Sequence, residues 1–366
     1  MEVLSQMSAK GLQPRSYAYN GCITACARAG ETSQTMKLLS TMKASGVAPD
    51  LVSFNAALLG MQRASGPSRS GAWKQALQLL TQMGDRSIEP DVVSYANAVA
   101  ACRRGGQATQ AIALLDAAAA KGLKPNEGML CDALTAIAIQ GDADVAASRL
   151  WAMLLEMGDG TVPPSARAFH ARIYERGTAK DWQAAVALLD EMKSAGMLVS
   201  AGCCEHAARA CSRAGAWQEA STLLERCEAV YGVARSERLY CSAIQACGKA
   251  GKWEAAMELL KGAQGASLGS VGVYGAAMDA LSACGQWEQC LQLLKTMEAA
   301  GVVGDVGLYG SALHALQAAR QWESVYELLY MMRAEGVTTP ETMLPYHITL
   351  WKMAKKELER KKKKKQ

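Results

Sequence analysis

The sequence predicts an all-α protein, an α-solenoid superhelix of tandem helix-turn-helix repeats about 35 residues long. Recurrence is the first reason. Ser16 to Asp50 reads SYAYNGCITACARAGETSQTMKLLSTMKASGVAPD and returns in altered form down almost the whole 366-residue chain. The second reason is periodicity inside the unit. Its first half places Tyr19, Cys22, Ile23 and Cys26 at helical spacing and stops at Gly30. Its second half places Met36, Leu39 and Met42 on one face, ends near Gly46 and is closed by Pro49. The third reason is composition: 50% of the residues are hydrophobic, with 18 Met and only 2 Phe, which suits close-packed helices better than strands. Neither helix could bury its apolar stripe alone, so each hairpin needs neighbours stacked on it. A solenoid grows by adding units, so one elongated array is expected at this length rather than two globules. The longest apolar runs fall well short of the roughly 20 residues that cross a bilayer, and no membrane span is expected.

Met1 to Arg15 matches a second helix and its closing turn, with Met7, Gly11 and Pro14 at the places of Met42, Gly46 and Pro49. It reads either as a capping half-repeat or as the remainder of a unit whose front is missing, and no Arg- and Ser-rich presequence precedes the array. Nine units fill 16–341. They run Ser16 to Asp50, Leu51 to Asp91, Val92 to Asn126, Glu127 to Ser165, Ala166 to Ser200, Ala201 to Ser236, Glu237 to Ser270, Val271 to Asp305, and Val306 to about Pro340. The second is lengthened by Gly66 to Gly71, where a surface loop grows at little cost. The fourth is stretched around Gly158 to Pro164, the expected place for a flexible joint. Breaks between paired helices are expected at Gly30, Gly105, Gly215, Gly251 and Gly285. A Trp recurs two residues after the mid-repeat Gly at Trp73, Trp217, Trp253 and Trp287, and in the same slot without Gly at Trp182 and Trp322. Stacking on bases would use such rings, but their place at the start of a second helix favours sealing the core between units. Residues 342–366 read as a capping helix, with Leu344, Ile348 and Trp351 on one face, that dissolves into a lysine-rich, disordered tail. A nonspecific RNA tether and a nuclear address are the sharper readings of that tail.

Four of the 12 cysteines, Cys26, Cys102, Cys211 and Cys247, fall at position 11 of their units, where a small, weakly polar residue suits close helix approach. There is no CxxC pair and no His cluster at ligand spacing, so neither a metal nor another cofactor is expected, and free thiols at this number suit a reducing compartment. No catalytic constellation emerges: Glu254 and Glu258 read as a solvated helix face, and a noncatalytic binding module is expected.

The period, the openings in SYAYN and LVSFN, the AG before the second helix, the LL..M run and the G(V/I).PD ending resemble the pentatricopeptide repeat over about residues 1–341. That resemblance implies a right-handed superhelix binding single-stranded RNA in mitochondria or chloroplasts, about one base per repeat. In the family the fifth and last residues of a unit read the base. This assigns base reading to Asn20 with Asp50 and Asn55 with Asp91, a combination that resembles a uracil reader, and to Asn126 at the end of the third unit, where it is paired with Ala96. An amide and a carboxylate together match the mixed donor and acceptor edge of a pyrimidine. Val52 and Val93, second in their units, would sandwich the base. Later pairs lose the pattern, and Gly128, Gly202, Gly272 and Gly307 occupy the sandwiching place.

Arg28, Arg63, Arg104, Arg213 and Lys249 stand at position 13 of their units, where the family presents a phosphate-contacting Lys. A cation there also satisfies the last carbonyls of its helix, and both uses are compatible. Lys352 to Gln366 carries nine Lys or Arg and two Glu, net +7; the remainder holds 30 of the 39 basic and 32 of the 34 acidic residues, net −2. RNA affinity comes largely from neutralised phosphates, so a near-neutral array needs its cations on one face. The expectation is therefore a monomeric single-stranded RNA binder for organelle RNA processing, stability or translation. The alternative is a noncatalytic scaffold for protein partners, with cytoplasm and nucleus left open.

Overall fold

The computed structural model describes residues 4, 7, 13–65, 70–141, 144–157, 163–334 and 345–365; Gly66 to Arg69 and most of the stretch around Gly158 lie outside the described residues. Among them the secondary structure is helical throughout, as nine hairpins and a final helix. The first helices are Ser16–Arg28, Leu51–Arg63, Val92–Arg104, Glu127–Gln140, Ala166–Thr178, Ala201–Ala214, Glu237–Lys249, Val271–Ala283 and Val306–Ala318. Each is followed by a second helix of similar length, from Thr32–Ala44 to Trp322–Ala334.

Local chemistry sets these ends. From the second hairpin on, each first helix is preceded by an Asp, Asn or Ser in extended conformation, the residues whose short oxygens best satisfy the free amides of a helix start. Asp50, Asp91, Asn126 and Asp305 each accept from the backbone N–H three residues on, at 2.8–2.9 Å. Inside the hairpins a left-handed residue reverses the chain, as at Gly30 with φ 76°. In the third hairpin that residue is Gly106, with φ 66°, whereas Gly105 takes φ −83° as the residue that ends the helix. The hairpins whose second helices start at Trp182 and Trp322 use Lys180 and Arg320 there, at φ 65° and 55°.

Packing divides the chain into two compact units, Met1–Ala179 and Lys180–Gln366, with the boundary inside the fifth repeat. In the first unit, each first helix packs on the first helix of the next repeat. The buried faces of Tyr19, Ile23, Phe54, Leu58, Met61 and Val99 join those of Leu38, Met42, Leu79 and Met83 from second helices in one continuous core. Contacts are close enough to be selective for size: a side chain on Gly60 would stand 3.2 Å from Thr35. The ring of Trp73 packs on this core and against Gly105 of the next repeat, where a Cβ would come within 2.6 Å of it, so this Trp seals an inter-repeat seam. A buried ion pair, Arg172 to Glu175 at 2.8 Å, lies under Trp151 near the end of the unit.

The second unit repeats the pattern. Cys211, Ala220, Ala243 and Ala246 form a small-residue core with Trp182 and Trp217 packed on it. Here a Cβ on Gly248 would meet Ala280 at 2.7 Å. The final helix spans Pro345–Lys365 and continues through the lysine run instead of dissolving before it, because lysine is a good helix former and Arg360 pairs with Glu357 one turn back at 2.7 Å. Its docked face is Leu350 and Ala354, with Trp351 edge-on to Tyr326, while Ile348 points outward; Leu344 lies outside the described residues. All 12 cysteines are free thiols. Burial pushes several up, Cys102 and Cys247 to about 11 and Cys211 and Cys290 to about 12, as suits inert packing residues. No described helix is long and apolar enough to cross a membrane.

Gly30 and Gly46 share the left-handed conformation, but a Cβ on Gly30 would stand 2.8 Å from the Arg63 carbonyl oxygen, whereas one on Gly46 meets nothing within 4 Å. Gly46→Ala is expected to cost about 1–2 kcal/mol of backbone strain alone. Gly30→Ala is expected to cost distinctly more, measured by denaturant unfolding. Equal losses would show that the first two repeats do not meet at Gly30.

Candidate nucleic-acid interface

At the first two repeat junctions the fifth residue of one repeat lies against the last residue of the same repeat, which is also the N-cap of the next first helix. Asn20 Nδ2 donates to Asp50 Oδ1 at 3.3 Å, and Ser16 Oγ donates to Asp50 Oδ2 at 2.9 Å. One repeat on, Asn55 Nδ2 donates to Asp91 Oδ1 at 3.2 Å. A serine that the sequence reading passed over completes each site. Ser53 Oγ lies 2.6 Å from Asn20 Oδ1 and 2.8 Å from Asp50 Oδ1, and Ser94 Oγ lies 2.6 Å from Asn55 Oδ1 and 2.9 Å from Asp91 Oδ1. Each serine also accepts from the aspartate's own backbone N–H at 3.2 Å, closing a capping box. The D-x-x-S spacing at Asp50 and Asp91 was the signal that could have found them.

Burial alone would raise both carboxyls. The backbone and hydroxyl donors of Ser53 outweigh it at Asp50, with Ser16 and Asn20 adding to them, and Ser94 and Asn55 do the same at Asp91, so both lie below the usual aspartate value. These carboxylates are charged acceptors at neutral pH. Beside them Val52 and Val93 are 59% and 53% exposed, an uncommon state for valine on a helix of this packed kind. Tyr17, second in its repeat as these valines are in theirs, is 91% exposed and offers an aromatic face at the same place.

Elsewhere among the described residues the constellation is absent. Asn126 caps Met129, and the fifth residue of its repeat is Ala96, whose side chain has no polar group. Cys131 is buried and its thiol is pushed up to about 12, chiefly by desolvation. His170 is half-buried and lowered by the same cause, and its counterpart Ser200 belongs to the other compact unit. Glu205 accepts from Ser236 at 3.0 Å and pairs with Arg238 at 3.3 Å.

The five position-13 cations all lie in the last turn of a first helix and are exposed. Arg104 donates to the carbonyl of Ala64, which ends the first helix of the preceding repeat, at 3.1 Å. Arg213 and Lys249 meet Arg209 and Arg238 around one open cavity of about 500 Å³ between the first helices of repeats six and seven. This is a concentration of positive charge within a chain whose array is near neutral.

The fold and these junctions define a tandem helical-hairpin repeat protein with a polar pair at its first two junctions. A family model for the pentatricopeptide repeat domain matches residues 2–62, and the pentatricopeptide repeat model matches 238–265 and 272–302. These matches cover about a third of the chain, at its start and in its second half, and the repeats there are similar to pentatricopeptide repeats. No curated protein matches the chain. Among solved structures it is similar to the maize pentatricopeptide repeat protein PPR10 in complex with an 18-nt psaJ RNA element, with TM-score 0.50 and 20% identity over 94% of this chain and 52% of that one. A triple cysteine-to-serine form of PPR10 with the same RNA gives the same values. The chain spans about half the length of that protein, and likeness at this identity concerns the fold alone.

Removing the amide donor should raise the neighbouring carboxyl: in Asn55→Ala, Asp91 is expected to titrate closer to the ordinary value of about 3.9. Because the folded value is depressed, the stability each carboxylate contributes is present above the unfolded value and lost as pH falls through the lower folded one. Carbon-detected NMR titration of the Asp91 carboxyl in both proteins measures the shift, and identical titrations would show that the amide does not bond the carboxylate.

Proposed function

We propose that the protein is a noncatalytic, single-stranded RNA-binding repeat protein whose first two junctions read neighbouring bases, uracil by preference. The observation that carries this reading is the paired amide and carboxylate, twice repeated, with an exposed valine beside each. One N–H of Asn55 remains for a base after the bond to aspartate, at Asn20 a base would displace the long 3.4 Å bond to Ser16 Oγ, the carboxylate accepts a base N–H, and Val52 and Val93 offer apolar faces for stacking. Phosphates are met by Arg28, Arg63 and Arg104 in the first unit and by Arg213 and Lys249 in the second, where Arg209 and Arg238 supplement them. This divides the labour, with base reading near the start of the array and sequence-tolerant backbone binding further on. Resemblance to the family extends the proposal to RNA processing, stability or translation in a mitochondrion or chloroplast.

In a selection from a mixed RNA pool, retained sequences are expected to prefer uracil at two adjacent positions, and Asn55→Ser should relax one of them by roughly 1–3 kcal/mol of discrimination. Deleting Lys352 to Gln366 should flatten the salt dependence by a slope of about 0.7 for each phosphate that the tail neutralises, leaving array binding in place. Changing Arg28, Arg63 and Arg104 to Gln in that truncated protein should then weaken all RNAs alike, at unchanged helix content. A truncated array without detectable RNA affinity at low salt would defeat the proposal in favour of a protein-binding scaffold.

A further inference from the structure

The two asparagines differ from every other fifth residue in having a hydroxyl beneath them. Ser53 and Ser94, both fully buried, are the third residues of the repeats that follow Asn20 and Asn55. In the later repeats the same place holds Met129, Ala168, Cys203, Leu239, Val273 and Leu308, and the fifth residues they follow, Ala96, Cys131, His170, Glu205, Cys241 and Gly275, carry no amide. Among the described junctions the buried serine and the asparagine occur together or not at all. Capping does not account for that coincidence, because Asn126 and Asp305 cap Met129 and Leu308 at 2.9 and 2.8 Å without any hydroxyl there.

The atoms explain the pairing. A carboxylate only accepts, so the asparagine atom facing Asp91 Oδ1 at 3.2 Å must be Nδ2, and Oδ1 then faces Ser94. Ser94 Oγ has one hydrogen and two acceptors in reach. Asp91 Oδ1 already receives the Ser94 backbone N–H at 2.8 Å and the Asn55 amide, whereas Asn55 Oδ1, at 2.6 Å, has the shorter line to the hydroxyl. The serine therefore pins the carbonyl end of the amide and turns its second N–H outward. A donor presented outward suits the O4 acceptor of uracil and opposes the N4 amino group of cytosine; an amide free to flip would present Oδ1 and accept from that amino group.

We propose that Ser53 and Ser94 are positioning residues that fix the amide orientation of Asn20 and Asn55, and that at the second junction, where the other Asn55 N–H is not taken by a neighbour as Asn20's is by Ser16 Oγ at 3.4 Å, this sets uracil-over-cytosine preference. This rests on the RNA-reading function proposed above. Two measurements on the full chain keep the two claims distinct. The first needs no RNA: the side-chain NH2 resonances of Asn55, assigned by their loss in Asn55→Ala, should change in Ser94→Ala and be retained in Ser94→Thr. Resonances unmoved in Ser94→Ala would overturn the inference. The second compares binding of a uracil homo-oligomer with that of the same oligomer carrying single cytosines scanned along it. In Ser94→Ala the penalty for cytosine at one position should fall by on the order of tenfold and return in Ser94→Thr. Equal weakening of all oligomers with an unchanged uracil-to-cytosine ratio would mean that the serine is only a helix cap and would overturn the inference. If the unaltered protein shows no uracil preference while the resonances of Asn55 shift as expected, the reading function fails and the amide clamp stands as structure alone.

Discussion

Every repeat junction from the second hairpin onward turns on one short side chain that starts a helix. An Asp, Asn or Ser stands at the N-terminus of each first helix, and at most junctions its oxygen takes the amide three residues on, which would otherwise be left unsatisfied where two hairpins meet. Losing such a cap typically costs ~1 kcal/mol, and in a stack whose units contact only neighbours that cost falls on a seam.

That constraint shapes what the family position can do here. The residue assigned to base reading is first of all a cap, so its alphabet is restricted to the capping residues whether or not RNA is read. At Asp50 and Asp91 the cap is also a charged acceptor held by an amide and a hydroxyl. At Ser165 and Ser236 capping persists while the partners, a buried thiol in Cys131 and an ion-paired Glu205, offer no comparable edge. The pairs thus differ from one another most on the side that carries no folding duty. The second unit instead gathers four cations around one cavity between neighbouring first helices, which suits the uniform charge of a backbone better than the varied edges of bases.

The helical hairpins and their punctuation were legible in the sequence because Gly and Pro act locally, through backbone angles that need no neighbour. The pairs Asn20 with Asp50 and Asn55 with Asp91 were legible only through family resemblance, since residues 30 or more apart meet by stacking. Ser53 and Ser94 went unread although the D-x-x-S spacing is plain in the sequence, because a capping box looks the same whether or not an asparagine lies above it. At the C-terminus, counting charges suggested disorder from the lysines onward, whereas helix propensity carries the final helix to Lys365.

By itself the sequence determined an all-α chain of repeated hairpins, because periodicity and turn residues specify each hairpin from within. It also determined that a cation stands at the end of five first helices. Tertiary structure alone decided which of these polar residues form sites. Stacking placed an amide of one repeat over the cap of the next and buried a hydroxyl beneath it. It brought Arg213 and Lys249 to one cavity and turned Arg104 onto the Ala64 carbonyl. Hydrogen bonds and charge fall off within a few ångströms, so what such residues do depends on neighbours that only the packed chain supplies.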